Sequence, residues 1–140
     1  MPGRDIRNKL VPKILMNSAI ASDTNTDSIQ LDVADYDGGV KLNVFSTIYA
    51  DGDYALEIHA SDTDSFSPSS STLLSGNNLI PASASVSVGA AAVLGAVLDS
   101  VGFITAKRYV VARIVSTNFS ASGATIIITA ENNPEIKPGV

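Results

Sequence analysis

Both faces of the stretch from Tyr109 to Val115 are apolar, and that sharply limits how the chain around it can fold. Side chains alternate across a strand, so Tyr109, Val111 and Val115 point one way while Val110, Ala112 and Ile114 point the other. A strand of a small antiparallel sheet normally keeps one polar face for water. Here the second face needs a cover too. Either a segment of the same chain packs there, as over the central strand of a sandwich, or a partner chain does. The whole run from Val101 to Val115 reads as a strand, a tight turn and this second strand.

Period-two alternation recurs along the chain. Ile29, Leu31 and Val33 oppose Gln30 and Asp32; Val40, Leu42 and Val44 oppose Lys41 and Asn43; Tyr54, Leu56 and Ile58 oppose Ala55, Glu57 and His59. Asp35 to Gly39 supplies one turn. Asp51-Gly52 between Tyr49 and Tyr54 is a strong hairpin signal, because tight hairpin turns need positive φ. Those three strands are expected to form a meander. Ser83 to Val88 reads as a strand with a small polar face, and Gly89 to Leu98 is open between helix and strand. Tyr109–Thr117 and Ala124–Ala130 read as a last hairpin, with Ile126 and Ile128 on one side and Ile127, Thr125 and Thr129 on the other. After the third strand of that meander, the serine-rich loop from Asp62 to Asn78 is long enough to expect a function or mobility. Many short strands and little helix give an all-β fold, an antiparallel β-sandwich of jelly-roll type.

Residues 1–22 lack periodicity, and Pro2 and Pro12 discourage a helix across them, so they read as an extended N-terminal arm. The body then spans 23–133, with a tail at 134–140. Residues 1–13 carry Arg4, Arg7, Lys9 and Lys13 against Asp5, or +3; the total of −5 leaves −8 for the rest. The arm is basic and apolar, with Ile6, Leu10, Val11, Ile14, Leu15 and Met16, and the body is acidic. Such a body repels a phosphate backbone, which argues against nucleic acid and for an acidic protein surface or the chain's own body as the arm's partner.

A chain of 140 residues can bury a core of its own, and without cysteine it has no disulfides, thiolate metal sites or cysteine nucleophile. Ile6 to Leu15 is broken by Arg7, Asn8, Lys9, Pro12 and Lys13, so no secretion signal is read there. The longest apolar run, Val88 to Leu98, holds 11 residues, too few to span a bilayer. A soluble protein with no membrane partner is expected.

Catalytic signals are weak. His59 is the only histidine and shares a strand face with Glu57, which sets it towards solvent; abundant serines and aspartates do not make a triad. Asp32, Asp35, Asp37, Asp51, Asp53, Asp62 and Asp64 could offer calcium hard oxygens, but their spacing fits no calcium loop, and each sits where aspartate serves turns. Phosphate-cradling glycine loops are absent. No enzyme, cofactor, metal or small-molecule substrate is expected.

The run Lys107-Arg108-Tyr109-Val110 into a valine-rich strand, preceded by Ser61-Asp62-Thr63-Asp64-Ser65-Phe66 and followed by Asn133-Pro134, resembles the capsid cement and decoration proteins of tailed phages. The resemblance covers about residues 23 to 134 and departs in the Ser/Ala stretch from Ser67 to Ala92. It implies a jelly-roll homodimer on the outer surface of the virion head, bridging major capsid protein subunits against internal pressure, and present in the host cytoplasm during assembly. From the residues themselves, Arg4, Ile6, Arg7, Lys9, Leu10 and Lys13 are the candidate shell contacts. Tyr109, Val111, Arg113, Val115, Ile126 and Ile128 are the candidate subunit seam, because homodimer interfaces are more apolar than ordinary surface. The alternative is a lectin-like sandwich holding carbohydrate, with or without calcium, through its acidic loops and Tyr36, Tyr49 and Tyr54.

Overall fold

A computed structural model describes residues 13–36, 39–80, 87–88, 98–119 and 122–132. Its strands are β1 (Lys13–Ile20), β2 (Asn25–Asp27), β3 (Leu31–Asp32), β4 (Val40–Tyr49), β5 (Asp53–Ser61), β6 (Thr72–Leu73), β7 (Leu79–Ile80), β8 (Ser87–Val88), β9 (Leu98–Phe103), β10 (Tyr109–Thr117) and β11 (Ala124–Asn132). They form two antiparallel sheets. The first is five-stranded in the order β1-β11-β4-β9-β7. In the second, β10 and β5 are the middle pair; β2 and β3 share the outer edge of β10, while β6 and β8 share that of β5. With each shared edge counted as one interrupted strand, successive long strands alternate between sheets in the double Greek key of a jelly roll. The fold is the all-β sandwich that the alternation implies.

The alternating residues meet in the middle. Leu42, Val44, Val101, Phe103, Ile126 and Ile128 of the first sheet face Leu31, Ile58, Ala60, Val110, Ala112 and Ile114 of the second, each no more than 4% exposed. Lys41, Asn43, Thr125, Ile127 and Thr129 lie half-buried on the outside of the first sheet, as their register dictates. Ile29 departs from its expected place. Its backbone N–H bonds Leu15 O at 3.0 Å between β2 and β3, and its side chain is 56% exposed, so the clean alternation from Ile29 to Val33 gives only a two-residue strand.

The strands are where the alternation puts them, but their partners are not. β3, β4 and β5 form no meander, since β4 pairs β11 and β9 while β3 and β5 pair β10. The Asp51-Gly52 turn is real, with Gly52 at φ 94°, yet it carries the chain from one sheet to the other. The same is true of the links from β9 to β10 and from β10 to β11, so neither is a hairpin. Turn chemistry reports a chain reversal; whether the returning strand lies beside or across from its predecessor depends on which neighbour covers more apolar surface.

Of the arm expected over 1–22, residues 13–20 form β1, the outer strand of the first sheet. It pairs β11 from Lys13↔Ala130 to Ile20↔Ala124 with a bulge between Ile14 and Met16. Leu15, Met16 and Ile20 enter the core at 3–4% exposure, so residues 13–20 belong to the body. The rest of the arm, the strand expected at 83–86, nearly all of the ambiguous run at 89–98 and the tail at 134–140 lie outside the described residues.

One end of the sandwich is tied by Asp51. Its carboxylate accepts the backbone N–H groups of Ser122 at 3.1 Å and Gly123 at 2.5 Å, and Gly123 O accepts from Ala50 N–H at 2.9 Å. The Tyr54 hydroxyl donates to Asp51 O at 2.9 Å. Ser116 does similar service beside it, accepting Thr24 N–H at 3.0 Å and lying 2.6 Å from Ser22 O, which fixes the bend between β1 and β2. Gly123 has φ 70° and packs against the Ile20 carbonyl so closely that a Cβ there would overlap backbone. Gly76, at φ 57°, has nothing within 4 Å of such an atom. Gly123→Ala should therefore cost at least about 2 kcal/mol, and Gly76→Ala about 1 kcal/mol from the left-handed backbone alone. Urea unfolding midpoints at unchanged slope would measure both.

Candidate functional site: the strapped outer face of the second sheet

The second apolar face of β10 does find a cover within the chain. Its outward residues Tyr109, Val111, Arg113 and Val115 stand opposite Ser61, His59, Glu57 and Ala55 of β5. After β5 the segment 62–71 crosses towards the far side of β10. There the Gln30 amide grips it with both ends: Nε2 donates to Asp64 Oδ1 at 2.6 Å, and Oε1 accepts Ser65 N–H at 2.8 Å. Gln30 precedes Leu31, which pairs Val110, so it lies on the outer side level with Val111. Ser65 turns the segment back with a left-handed φ of 57°. Pro68, in the 3-10 turn Pro68–Ser70, is buried, and Ser71 returns to the His59 ring. This strap leaves Val111 only 5% exposed.

The root of the strap is held by charge. Asp62 accepts from Lys107 Nζ at 2.6 Å and from Arg108 N–H at 3.3 Å. Asp32 closes the 3-10 turn Val33–Asp35 by accepting Ala34 N–H, and receives Arg108 Nε and Nη2. Arg108 also stacks 5.1 Å above the Tyr109 ring. The Arg108 hydrogen bonds, then the Ala34 N–H, hold the Asp32 carboxyl below its ordinary range; the Lys107 ammonium does the same for Asp62.

Below the strap a row of charges crosses three strands. Asp27 on β2 takes both arms of Arg113, Nε to Oδ1 at 2.6 Å and Nη2 to Oδ2 at 3.0 Å, an arrangement that raises the guanidinium pKa. Arg113 stands opposite Glu57, whose Oε2 lies 2.8 Å from His59 Nε2. On its other side His59 Nδ1 lies 3.0 Å from Ser71 Oγ.

His59 thus differs from expectation. It does face outward with Glu57, but the strap and β6 leave it 8% exposed. Nothing in the alternation could reveal this, because the cover comes from a loop with no periodicity.

The expected contact residues separate. Arg4, Ile6, Arg7, Lys9 and Leu10 lie outside the described residues, and Lys13 is exposed at the start of β1. Val111 is under the strap, Arg113 is bound to Asp27, and Tyr109 and Val115 keep partial exposure beside exposed Arg108 and Ala55. Ile126 and Ile128 are not surface at all. Both are 0% exposed, because β11 turns them into the sandwich core, which corrects their placement at a subunit seam. Gln30, Ser71 and Asp27 went unnoticed in the sequence; each acts across more than ten residues of separation, where spacing gives no signal.

The acidic loops do not converge either. Asp32 and Tyr36 sit at one end of the sandwich and Asp51, Asp53 and Tyr54 at the other, with Tyr54 2% exposed. Among the described residues no group of three or more His, Asp and Glu could hold a metal ion.

Gln30→Ala should speed cleavage of 62–71 by a non-specific protease while changing global stability by about 1 kcal/mol or less, because the strap opens without the sandwich. Acid should act on the root. Carboxyls whose folded pKa is depressed contribute stability that is full above the ordinary value of 3.8 and is lost as pH falls through the lower folded value. Unfolding midpoints between about pH 5 and 2 should fall less steeply in an Asp32→Asn, Asp62→Asn double variant than in the wild type.

No protein-family model matches this chain, and no curated protein matches it.

Proposed function

We propose that this protein is a structural virion component that binds the outer surface of a phage head and cements neighbouring major capsid protein subunits. The observation that carries the reading is how the basic arm joins the body. The arm runs directly into β1, an eight-residue edge strand paired along its length with β11. A pull on the arm loads those backbone hydrogen bonds in shear, all together, rather than peeling them one by one. An arm bound to one subunit and a body seated on another would then resist separation of the two. Charge agrees: a +3 segment suits an acidic strip on a neighbour.

The rigid body supports the same role. Its outward charges on the second sheet are already spent within the chain, as Arg113 with Asp27, Arg108 with Asp32 and Lys107 with Asp62. A homodimer of this protein would use the unstrapped half of that face, around Val115 and Ala55, in place of Ile126 and Ile128. Binding only to the assembled shell would stabilise it by mass action.

Co-sedimentation with tailed-phage heads stripped of surface cement should show saturable binding that weakens with salt. Reversing the arm charges with Arg4→Glu, Arg7→Glu and Lys9→Glu should weaken it at least about tenfold, because several charge pairs are lost together. Absence of saturable binding to any head, or full binding by the triple variant, would overturn the proposal.

A further inference from the structure

We propose that the strap over β10 is fastened by one extra proton held in the Glu57–His59 pair, so that proton loss releases this cover. The inference follows from counting hydrogens. Ser71 Oγ lies 2.7 Å from the Pro68 carbonyl oxygen, which has no proton to give, so the Ser71 hydroxyl donates there. Having spent its single hydrogen, Oγ can only accept from His59 Nδ1 at 3.0 Å; Nδ1 therefore carries a proton. On the opposite side Nε2 lies 2.8 Å from Glu57 Oε2, and that contact also needs a proton between its atoms. A neutral imidazole has one N–H, and a carboxylate none. The pair accordingly holds one proton more than a neutral ring beside a carboxylate, as imidazolium with carboxylate or as neutral ring with carboxylic acid.

Few charged groups face the ring. On its own strand stands Glu57. From β10, Val111 faces it directly and Arg113 lies diagonally, itself paired to Asp27 of β2. β6 offers Leu73, without charge. In the strap, Ser71 is neutral, and Asp64 and Asp62 are turned to Gln30 and Lys107. With the extra proton the row reads Asp27 minus, Arg113 plus, Glu57 minus, His59 plus. Without it the alternation ends in an unmatched carboxylate.

Removing the proton forces a choice. The neutral ring keeps its one hydrogen on Nε2, because a charge-assisted bond to the Glu57 carboxylate is stronger than one to a hydroxyl, so Nδ1 is left bare. Either Ser71 Oγ then swings its hydrogen to Nδ1 and faces the Pro68 oxygen with bare lone pairs, or Nδ1 and Oγ face each other that way. One hydrogen bond is lost in each case, within the 3-10 turn or between it and the His59 ring, and the strap loosens at the end opposite Gln30. Proton uptake therefore fastens the strap and proton loss frees it. Histidine is the side chain type that exchanges a proton between about pH 5 and 8. A loosened strap uncovers Val111.

His59 is the only histidine, so its ring nitrogens give a single pair of NMR signals. With the strap closed, both should report attached protons, directly or through Glu57, and the Ser65 and Ser71 amides should be protected. Raising the pH should remove one ring proton and, in the same step, speed intrinsic-rate-corrected exchange of those amides about fivefold to tenfold, the size of one lost hydrogen bond. In His59→Gln the amide step should vanish. The proposal is overturned if strap protection stays constant while the ring titrates, or if the amide step persists in His59→Gln. Should that variant fail to fold, coincidence or non-coincidence of the two steps in the wild type still decides.

Discussion

The middle strand of the second sheet, β10, has no face that can be left to water, and most of the architecture can be traced to that constraint. Its inner side chains, Val110, Ala112 and Ile114, are 0–1% exposed and fix the depth of the sandwich. Its outer side chain Val111 is 5% exposed, and among the described residues no second layer of sheet lies over it. The chain solves the outer problem with a loop. A loop in such a position must find partners for its own backbone. That requirement explains the polar anchors: the amide fork of Gln30, the carboxylate of Asp62 and the hydroxyl of Ser71. The serines and aspartates of 61–71 are hardware for a cover.

The jelly-roll connections follow from the same demand for two-sided cover. Because β4, β5, β9, β10 and β11 each carry one strongly apolar face, successive strands cover one another best from opposite sheets. The links between them then cluster at the two ends, where they need separate locks. At one end Asp51 gathers the links from β4 to β5 and from β10 to β11. At the other Asp32 and Asp62 hold the link from β9 to β10 through Arg108 and Lys107. Asp32, Asp51, Asp53, Asp62 and Asp64, which a sequence offers as metal ligands, are engaged in this way as ties between loops.

What the sequence discloses and what it hides divide along a physical line. Period-two alternation is a local property, and it placed Val40, Leu42, Val44, Tyr54, Ile58, Val110, Ala112 and Ile114 in the core as their register requires. Lys13 to Ile20 escaped because its bulge at Ile14/Met16 interrupts the alternation and brings Leu15 and Met16 inward together. Pairing partners escaped because a two-residue turn such as Asp51-Gly52 serves a hairpin and a crossing between sheets equally well. The two-faced strand correctly announced a cover without saying whose it was. Gln30 and Ser71, which fasten it, look like ordinary surface residues until the fold brings them together.

The two covers of β10 differ in kind, and the difference sets what each can do. The inner cover is apolar contact spread over many residues, whose loss is loss of the fold. The outer cover rests on a handful of polar bonds, each contributing about 1 kcal/mol net, so its opening free energy lies far below that of global unfolding. A strand whose second face must be hidden yet is hidden by weak bonds is a surface held in reserve. Carbon-to-carbon packing could not be made sensitive to a single proton. A hydrogen-bond chain through His59 can, because each member must be donor or acceptor and the chain closes for only one proton count.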